Sequence, residues 1–153
     1  MASAEPQLVL PQAVLFACTL NAVRSPIAEA LLRRLHGRRI YVASVGLKVA
    51  DIDPFAVAVM SEIGIDLTQH HPKTFAELED DSFDLVVSLS PEAHHRALEM
   101  TRVMACEVEY WPTLDASSIE GSRSAKLDAY RSVRDALAAK IKVRFPPTRA
   151  SHV

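Results

Sequence analysis

Cys18 and Arg24 are separated by five residues, and Ser25 and Pro26 follow directly in the stretch Cys18-Thr-Leu-Asn-Ala-Val-Arg24-Ser25-Pro26. A cysteine sulfur is a nucleophile that needs no separate base once it is ionised. A guanidinium offers a planar fork of donors matched to two oxygens of a phosphate, which lysine does not. A hydroxyl beside the pair can hydrogen-bond the sulfur when it serves as leaving group. Together these types point to attack of sulfur on a tetrahedral oxyanion, with phosphorus as the electrophile. The spacing alone is a weak signal because arginine is common in the chain. The elements around the pair decide its meaning.

Ala13-Val-Leu-Phe-Ala-Cys18 is a continuous apolar run, as expected of a strand covered on both faces of a parallel sheet. Ser25 and Pro26 then offer an N-cap and a first-turn proline, and Ile27, Leu31, Leu32 and Leu35 recur at helical spacing up to Gly37. The residues between strand and helix, Thr19, Leu20, Asn21, Ala22, Val23, Arg24 and Ser25, are therefore predicted to form the substrate-binding loop. Its backbone N–H groups would converge on an anion with the helix dipole behind them. Cys18 and Arg24 are the candidate catalytic pair within it.

The same reading places strands at Ile40 to Val45, Phe83 to Leu89 and Glu107 to Trp111. Helices are predicted from about Pro54 to Gly64, capped by Asp53, then from Pro91 to Met100 and from about Ser124 to Val143. Strands alternating with helices predict one α/β domain over residues 12–145. Its sheet is Rossmann-like, four-stranded and mostly parallel, with helices on both faces and ligands at the carboxyl ends of the strands. Residues 1–11 and 146–153 are expected to be flexible tails.

With 153 residues, nearly half of them apolar, the chain can bury one good core. A net charge of -2, spread over 17 basic and 19 acidic side chains, argues against a nucleic-acid partner. Ala13 to Leu20 is too short to span a bilayer, and the two cysteines do not make a disulfide framework. A cytoplasmic protein without membrane contact is expected; the sequence sets no oligomeric state.

Val14-Leu-Phe-Ala-Cys18-Thr-Leu-Asn21-Ala-Val-Arg24-Ser25-Pro26-Ile-Ala-Glu29-Ala resembles the loop-to-helix signature of the low-molecular-weight protein tyrosine phosphatase family. The likeness continues through Ala43-Ser44-Val-Gly46, Asp53-Pro54, Gly64-Ile-Asp-Leu-Thr-Gln-His70 and Phe83-Asp-Leu-Val-Val. It implies a phosphotyrosine phosphatase I-like fold, a phosphocysteine intermediate at Cys18, and no metal or cofactor. Phosphate or another oxyanion in the loop, and a phosphorylated protein or small phosphomonoester as substrate, are implied with it.

The resemblance also implies an aspartate that protonates the leaving oxygen and then activates water. Asp115, just past the fourth strand, is the candidate, since Asp84 falls within a predicted buried strand and Asp128 and Asp135 fall on the last helix. A turn aspartate that only caps its loop is the plainer alternative. A polar network of Asn21, Ser25, Ser44 and His70 is carried over in a supporting role, although His70 also reads as a solvated turn histidine beside His71. His36, His94 and His95 lack metal-site spacing.

Four positions depart from the family pattern. Leu20 stands where glycine is usual, which bears on positive φ. Asp115 is followed by Ala116-Ser117-Ser118 in place of proline and aromatics, and Leu47-Lys48 follow Gly46 without an aromatic residue. Val23 replaces a second cysteine that many relatives carry. Two other functions stay open: an arsenate reductase using an external thiol, since Cys106 reads as a core cysteine, and a phosphate-binding regulatory module with weak or no turnover.

Overall fold

Strict alternation of the side chains along the first strand organises the core of this computed structural model, which describes residues 10–78 and 82–147. In β1 (Ala13–Cys18), Val14, Phe16 and Cys18 face one layer of helices and Leu15 and Ala17 face the other; all five are at most 2% exposed. A period of two does this automatically. The first layer holds α1 (Arg24–His36), α2 (Pro54–Ser61) and α4 (Arg123–Arg144), through Ile27, Leu32, Val59, Met60, Leu137 and Ile141. The second is α3 (Pro91–Met100), through Ala93, Ala97 and Met100.

Strands β2 (Tyr41–Gly46), β3 (Leu85–Ser88) and β4 (Glu107–Tyr110) complete a sheet of order β2-β1-β3-β4 in which every pairing is parallel. The chain leaves β1 toward β2 on one side and later returns to β3 on the other. The strand order therefore reverses direction at the carboxyl end of β1, the place where open α/β sheets leave a crevice for ligands. Cys18 is the last residue of that strand.

Most predicted elements lie within a residue or two of their observed bounds, and the sheet is wholly parallel. Three local readings change. Ser25 does not cap α1: the helix begins at Arg24, the flanking residue is Val23 with no side-chain cap, and the Ser25 hydroxyl is turned inward. The third strand is shorter than Phe83 to Leu89. Asp84 is exposed rather than buried, and its carboxylate accepts from the N–H groups of Gln12 (2.9 Å) and Ala13 (2.7 Å) at the opposite end of the sheet from Cys18. The helix predicted to run to Gly64 ends at Ser61, and Gly64 takes φ 80° in the turn beyond. The expected tails fall mainly on residues 1–9 and 148–153, outside the described residues.

Gly46 closes the carboxyl end of β2 directly against the Thr19–Arg24 loop. A Cβ there would stand 2.4 Å from the Lys48 carbonyl oxygen, 2.8 Å from the Asn21 nitrogen and 2.8 Å from the Leu20 carbonyl carbon, all backbone atoms. Only glycine lets the two backbones meet. Gly46→Ala is expected to lower the unfolding free energy by about 1–3 kcal/mol, the usual range for overpacking, measured by urea denaturation.

Candidate active site

The loop after β1 is held from outside by its carbonyls. Cys18 O accepts from Leu47 N (3.3 Å), Thr19 O from Leu47 N and Lys48 N (3.0 Å each), and Leu20 O from Ala50 N (3.2 Å). Asn21 O accepts from His70 Nε2 (3.2 Å), Ala22 O from Asp53 N (3.1 Å) and Val23 O from Ile27 N (3.1 Å). In a trans peptide the N–H points opposite to the carbonyl of the preceding residue, and no cis bond occurs among the described residues. Six carbonyls tied outward thus turn the N–H groups of residues 19 to 24 toward the concave side. Asn21 N–H, one of the six, donates to Cys18 Sγ at 3.3 Å.

The curl needs one residue at positive φ, and that residue is Asn21 (φ 54°), a type that tolerates the left-handed region. Leu20 does not adopt it, so the loop forms with leucine at the position where the family pattern has glycine. The Leu20 side chain is 41% exposed at the cleft.

Beneath the loop lies a chain of buried hydrogen bonds whose direction can be read from its ends. Lys73 N, which can only donate, gives its proton to Asn21 Oδ1 at 3.0 Å and so fixes which end of the amide is oxygen. Asn21 Nδ2 then donates its two protons to Ser44 Oγ and Ser25 Oγ, each at 2.9 Å. The Ser44 hydroxyl passes its own proton to Glu29 Oε1 at 2.6 Å. Ser25, having accepted from Asn21, has one proton to give; its nearer acceptor is Cys18 Sγ at 2.8 Å, against Val45 O at 3.4 Å. The network thus leaves the Ser25 proton available to the sulfur, and a donor there would stabilise a sulfur carrying negative charge.

Sequence reasoning missed Glu29. It is 8% exposed on the α1 face that also buries Ile27, Ala28 and Leu32, and its other oxygen takes a 2.5 Å ion pair from Arg33. The available signal was a carboxylate on an otherwise apolar helical stripe, one turn after Ser25, because buried acids are nearly always partnered.

His70 joins this network and not the solvated turn. Its Nε2 donates to Asn21 Oδ1 at 3.1 Å, and its Nδ1 stands 3.7 Å from Glu29 Oε1. Burial holds its pKa below the ordinary histidine value, the Glu29 charge opposing that shift without overcoming it. His71 is exposed.

Above the loop is a cleft of about 320 Å³, lined by Cys18, Thr19, Leu20, Ala22, Val23 and Arg24 on the loop side and by Pro91, Glu92, Asp115 and Ser117 opposite. Arg24 donates to Thr113 O at 3.2 Å and to Thr19 Oγ1 at 3.4 Å, which lays its guanidinium along the rim. Asp115 precedes the 3-10 turn Ala116–Ser118. Its Oδ1 accepts from Ser117 N (3.1 Å) and Ser117 Oγ (2.5 Å), so it caps that turn and lines the cleft at once. The cleft thus gathers Cys18, Arg24 and Asp115, and the network below gathers Asn21, Ser25, Ser44 and His70. Among the described residues no aromatic side chain lines the cleft.

Cys106 sits elsewhere. By strand register it lies level with the first residue of β1, roughly 16 Å along the strands from Cys18 at about 3.3 Å per residue. Burial pushes its thiol pKa up. Among the described residues no three His, Cys, Asp or Glu side chains gather as metal ligands would, and no helix is long and apolar enough to cross a membrane.

Comparison with known proteins bears on this geometry. Residues 13–142 match the family described as low molecular weight phosphotyrosine protein phosphatase. An arsenate reductase of Halalkalibacterium halodurans is 31% identical over 129 residues, 84% of this chain and 91% of the relative. A glutaredoxin arsenate reductase of Synechocystis is 36% identical over 76 residues, half of this chain; the match spans 58% of that relative's length. The tyrosine phosphatase AmsI of Erwinia amylovora shares the fold with a TM-score of 0.71 at 21% identity, over 89% of this chain and 92% of that one.

Because the folded pKa of His70 is depressed, its contribution to stability is complete above the unfolded value of about 6.5 and is lost as pH falls below it. Chemical denaturation of the protein and of His70→Gln, each at pH 7.5 and near 5.5, is expected to show the larger loss on acidification in the unsubstituted protein. Equal losses would mean that His70 titrates alike folded and unfolded.

Proposed function

The chain belongs to the low molecular weight phosphotyrosine protein phosphatase family, and on that premise we propose that it is a cysteine-dependent phosphomonoester hydrolase with Cys18 as nucleophile. The observation that carries the proposal is the set of six loop carbonyls bonded outward, which aims the N–H groups of residues 19 to 24 at one point above the Cys18 sulfur. A phosphoryl group bound there has donors on its equatorial oxygens and the sulfur beneath its phosphorus, in line with the leaving oxygen.

In the first step Cys18 Sγ forms a bond to phosphorus as the phosphorus–oxygen bond to the leaving group breaks, and Asp115 gives its proton to that oxygen. Both turn-capping bonds to the Asp115 side chain go to Oδ1, so Oδ2 is the oxygen assigned this proton. In the second step Asp115, now a carboxylate, takes a proton from water as the water oxygen attacks phosphorus. The sulfur leaves with the S–P bonding pair as a thiolate, whose charge the Ser25 hydroxyl and the Asn21 N–H stabilise by hydrogen bonding. Arg24 supplies a bidentate contact to the equatorial oxygens, whose charge grows in the transition state. Asn21, Ser44, Glu29 and His70 hold the loop and the direction of the Ser25 bond.

The reading covers phosphorylated proteins and small phosphomonoesters, and a reducing cytoplasm, where Cys18 stays a thiol. A tyrosine ring would be held without aromatic stacking, since the cleft walls nearest the loop are Leu20, Pro91, Glu92 and Ser117.

A second reading, arsenate reduction, is favoured by the names of the curated relatives. A disulfide requires Cα atoms within about 7 Å. Cys106 is therefore out of reach of Cys18, and arsenate chemistry here would need a thiol from outside the chain.

Hydrolysis of p-nitrophenyl phosphate tests the proposal. Cys18→Ser is expected to abolish turnover while inorganic phosphate still binds. Arg24→Lys should lower kcat/KM about a hundred- to a thousandfold, and Asp115→Asn should lower it about a hundredfold or more. Cys106→Ala should stay within about twofold. Turnover that survives Cys18→Ser, or arsenate turnover with an added small thiol and none on phosphate esters, would overturn it.

A further inference from the structure

Tyr130, on α4, is almost wholly buried, yet its hydroxyl is committed to a single short contact, a 2.6 Å bond donated to Asp53 Oδ2. Asp53 is the N-cap of α2 and uses all of its polar groups. Oδ1 accepts from Phe55 N at 2.8 Å, Oδ2 accepts from Tyr130, and its backbone N–H donates to Ala22 O at 3.1 Å, one of the six bonds that turn the loop amides inward. The Tyr130 ring packs on Phe55 at 5.3 Å between centroids. In the same apolar cluster lie Ala22 and Val23 of the loop and Ala116, the fully buried residue that follows Asp115.

One hydroxyl thus ties α4, a helix that packs on the acid-bearing turn, to the phosphate-loop side through Asp53. We infer that Tyr130, through Asp53, is a positioning residue that fixes the Asp115 turn relative to the Cys18 loop, so that the proton reaches the leaving oxygen in register with attack by sulfur. The inference rests on the proposed hydrolase reading. The electrostatics agree with the packing: the Tyr130 pKa is raised, by burial first, then by Asp53, and then by the charge of Asp115. Among the described residues no hydrogen bond joins Tyr130 to Cys18, Arg24 or Asp115, so its effect must pass through the relative placement of the two segments.

The consequence is specific to proton delivery. An ester with a poor leaving group needs the acid in the transition state, whereas one with a good leaving group scarcely does. kcat/KM, which reports the phosphorylation step, is therefore measured with phenyl phosphate and with 2,4-dinitrophenyl phosphate. The proteins compared are the unsubstituted one, Tyr130→Phe, Asp115→Asn and the double variant. Tyr130→Phe keeps the ring and removes the bond. It is expected to lose roughly tenfold with phenyl phosphate and less than about twofold with the dinitrophenyl ester. In the Asp115→Asn background the same substitution should add nothing, because there is no proton left to aim.

Asp53→Ser keeps a side-chain cap for Phe55 N while falling short of Tyr130. It should give the same leaving-group pattern and serves if Tyr130→Phe does not fold. Equal losses on both esters, or losses that add to those of Asp115→Asn, would overturn the inference and leave the hydrolase reading intact. An Asp115→Asn variant with no leaving-group dependence would remove the acid assignment itself, and this inference with it.

Discussion

The 2.8 Å contact between the Ser25 hydroxyl and the Cys18 sulfur is the interaction on which the site depends. A serine beside a cysteine could equally accept a proton from it, and a sulfur that donates is a thiol. A buried chain of hydrogen bonds holds the hydroxyl in place. A backbone N–H of Lys73 orients the Asn21 amide, and the Glu29 carboxylate takes the Ser44 proton. Ser25 accepts from Asn21 and keeps its own proton for the sulfur at 2.8 Å or for Val45 O at 3.4 Å; in the proposed mechanism the ionised sulfur takes that bond. Buried polar chains of this sort are costly if one member is unsatisfied, and among the described residues no buried side-chain nitrogen or oxygen lacks a partner.

That chain requires the loop to curl in one way, and the rest of the fold supplies the curl. The segment after Gly46 runs alongside the loop and takes its carbonyls as acceptors, which is possible only because Gly46 has no side chain between the two backbones. Parallel pairing of β1 with both β2 and β3 brings that segment and the α3 terminus to the same sheet edge. The reversal of strand order leaves the crevice open above Cys18. The positive φ at Asn21 is part of the same arrangement, since the backbone that turns there carries the amide that orders the network.

Much of this was legible in the sequence, and for identifiable reasons. An apolar run ending in cysteine, a helix opened by Ser25-Pro26, and alternating strand and helix signals are local patterns, and the parallel sheet and the loop follow from them. The resemblance called for an aspartate and topology singled out Asp115, because an aspartate just past the last strand must lie at the edge that carries Cys18; it lines the cleft. What escaped depended on which way a side chain turns. Ser25 has the composition of an N-cap but bonds inward, because the sulfur and Asn21 compete for its hydroxyl. Glu29 looked like an ordinary helix residue until its neighbours on the buried face were seen. Asp84 sits between the apolar Phe83 and Leu85 and still reaches solvent, because the strand starts one residue later and leaves its carboxylate free to hold the start of β1. Asp53 was read correctly as a helix cap, but its second oxygen and the tyrosine it holds are a contact 77 residues apart in sequence, which no local pattern encodes.

The cleft without aromatic walls separates two questions that family membership alone would merge: how phosphorus is attacked, and what carries the phosphoryl group. In the proposed mechanism the loop, the sulfur and the guanidinium answer the first; the second would rest with Leu20, Pro91, Glu92 and Ser117. The most direct test of the central claim is to identify the atom that holds the phosphoryl group during turnover. This is done by rapid acid quench of the protein with p-nitrophenyl phosphate, followed by proteolysis and mass spectrometry. A phosphoryl group on the sulfur of the Cys18 peptide is the result this account requires; turnover with no adduct on that peptide, or with the adduct on another residue, would contradict it.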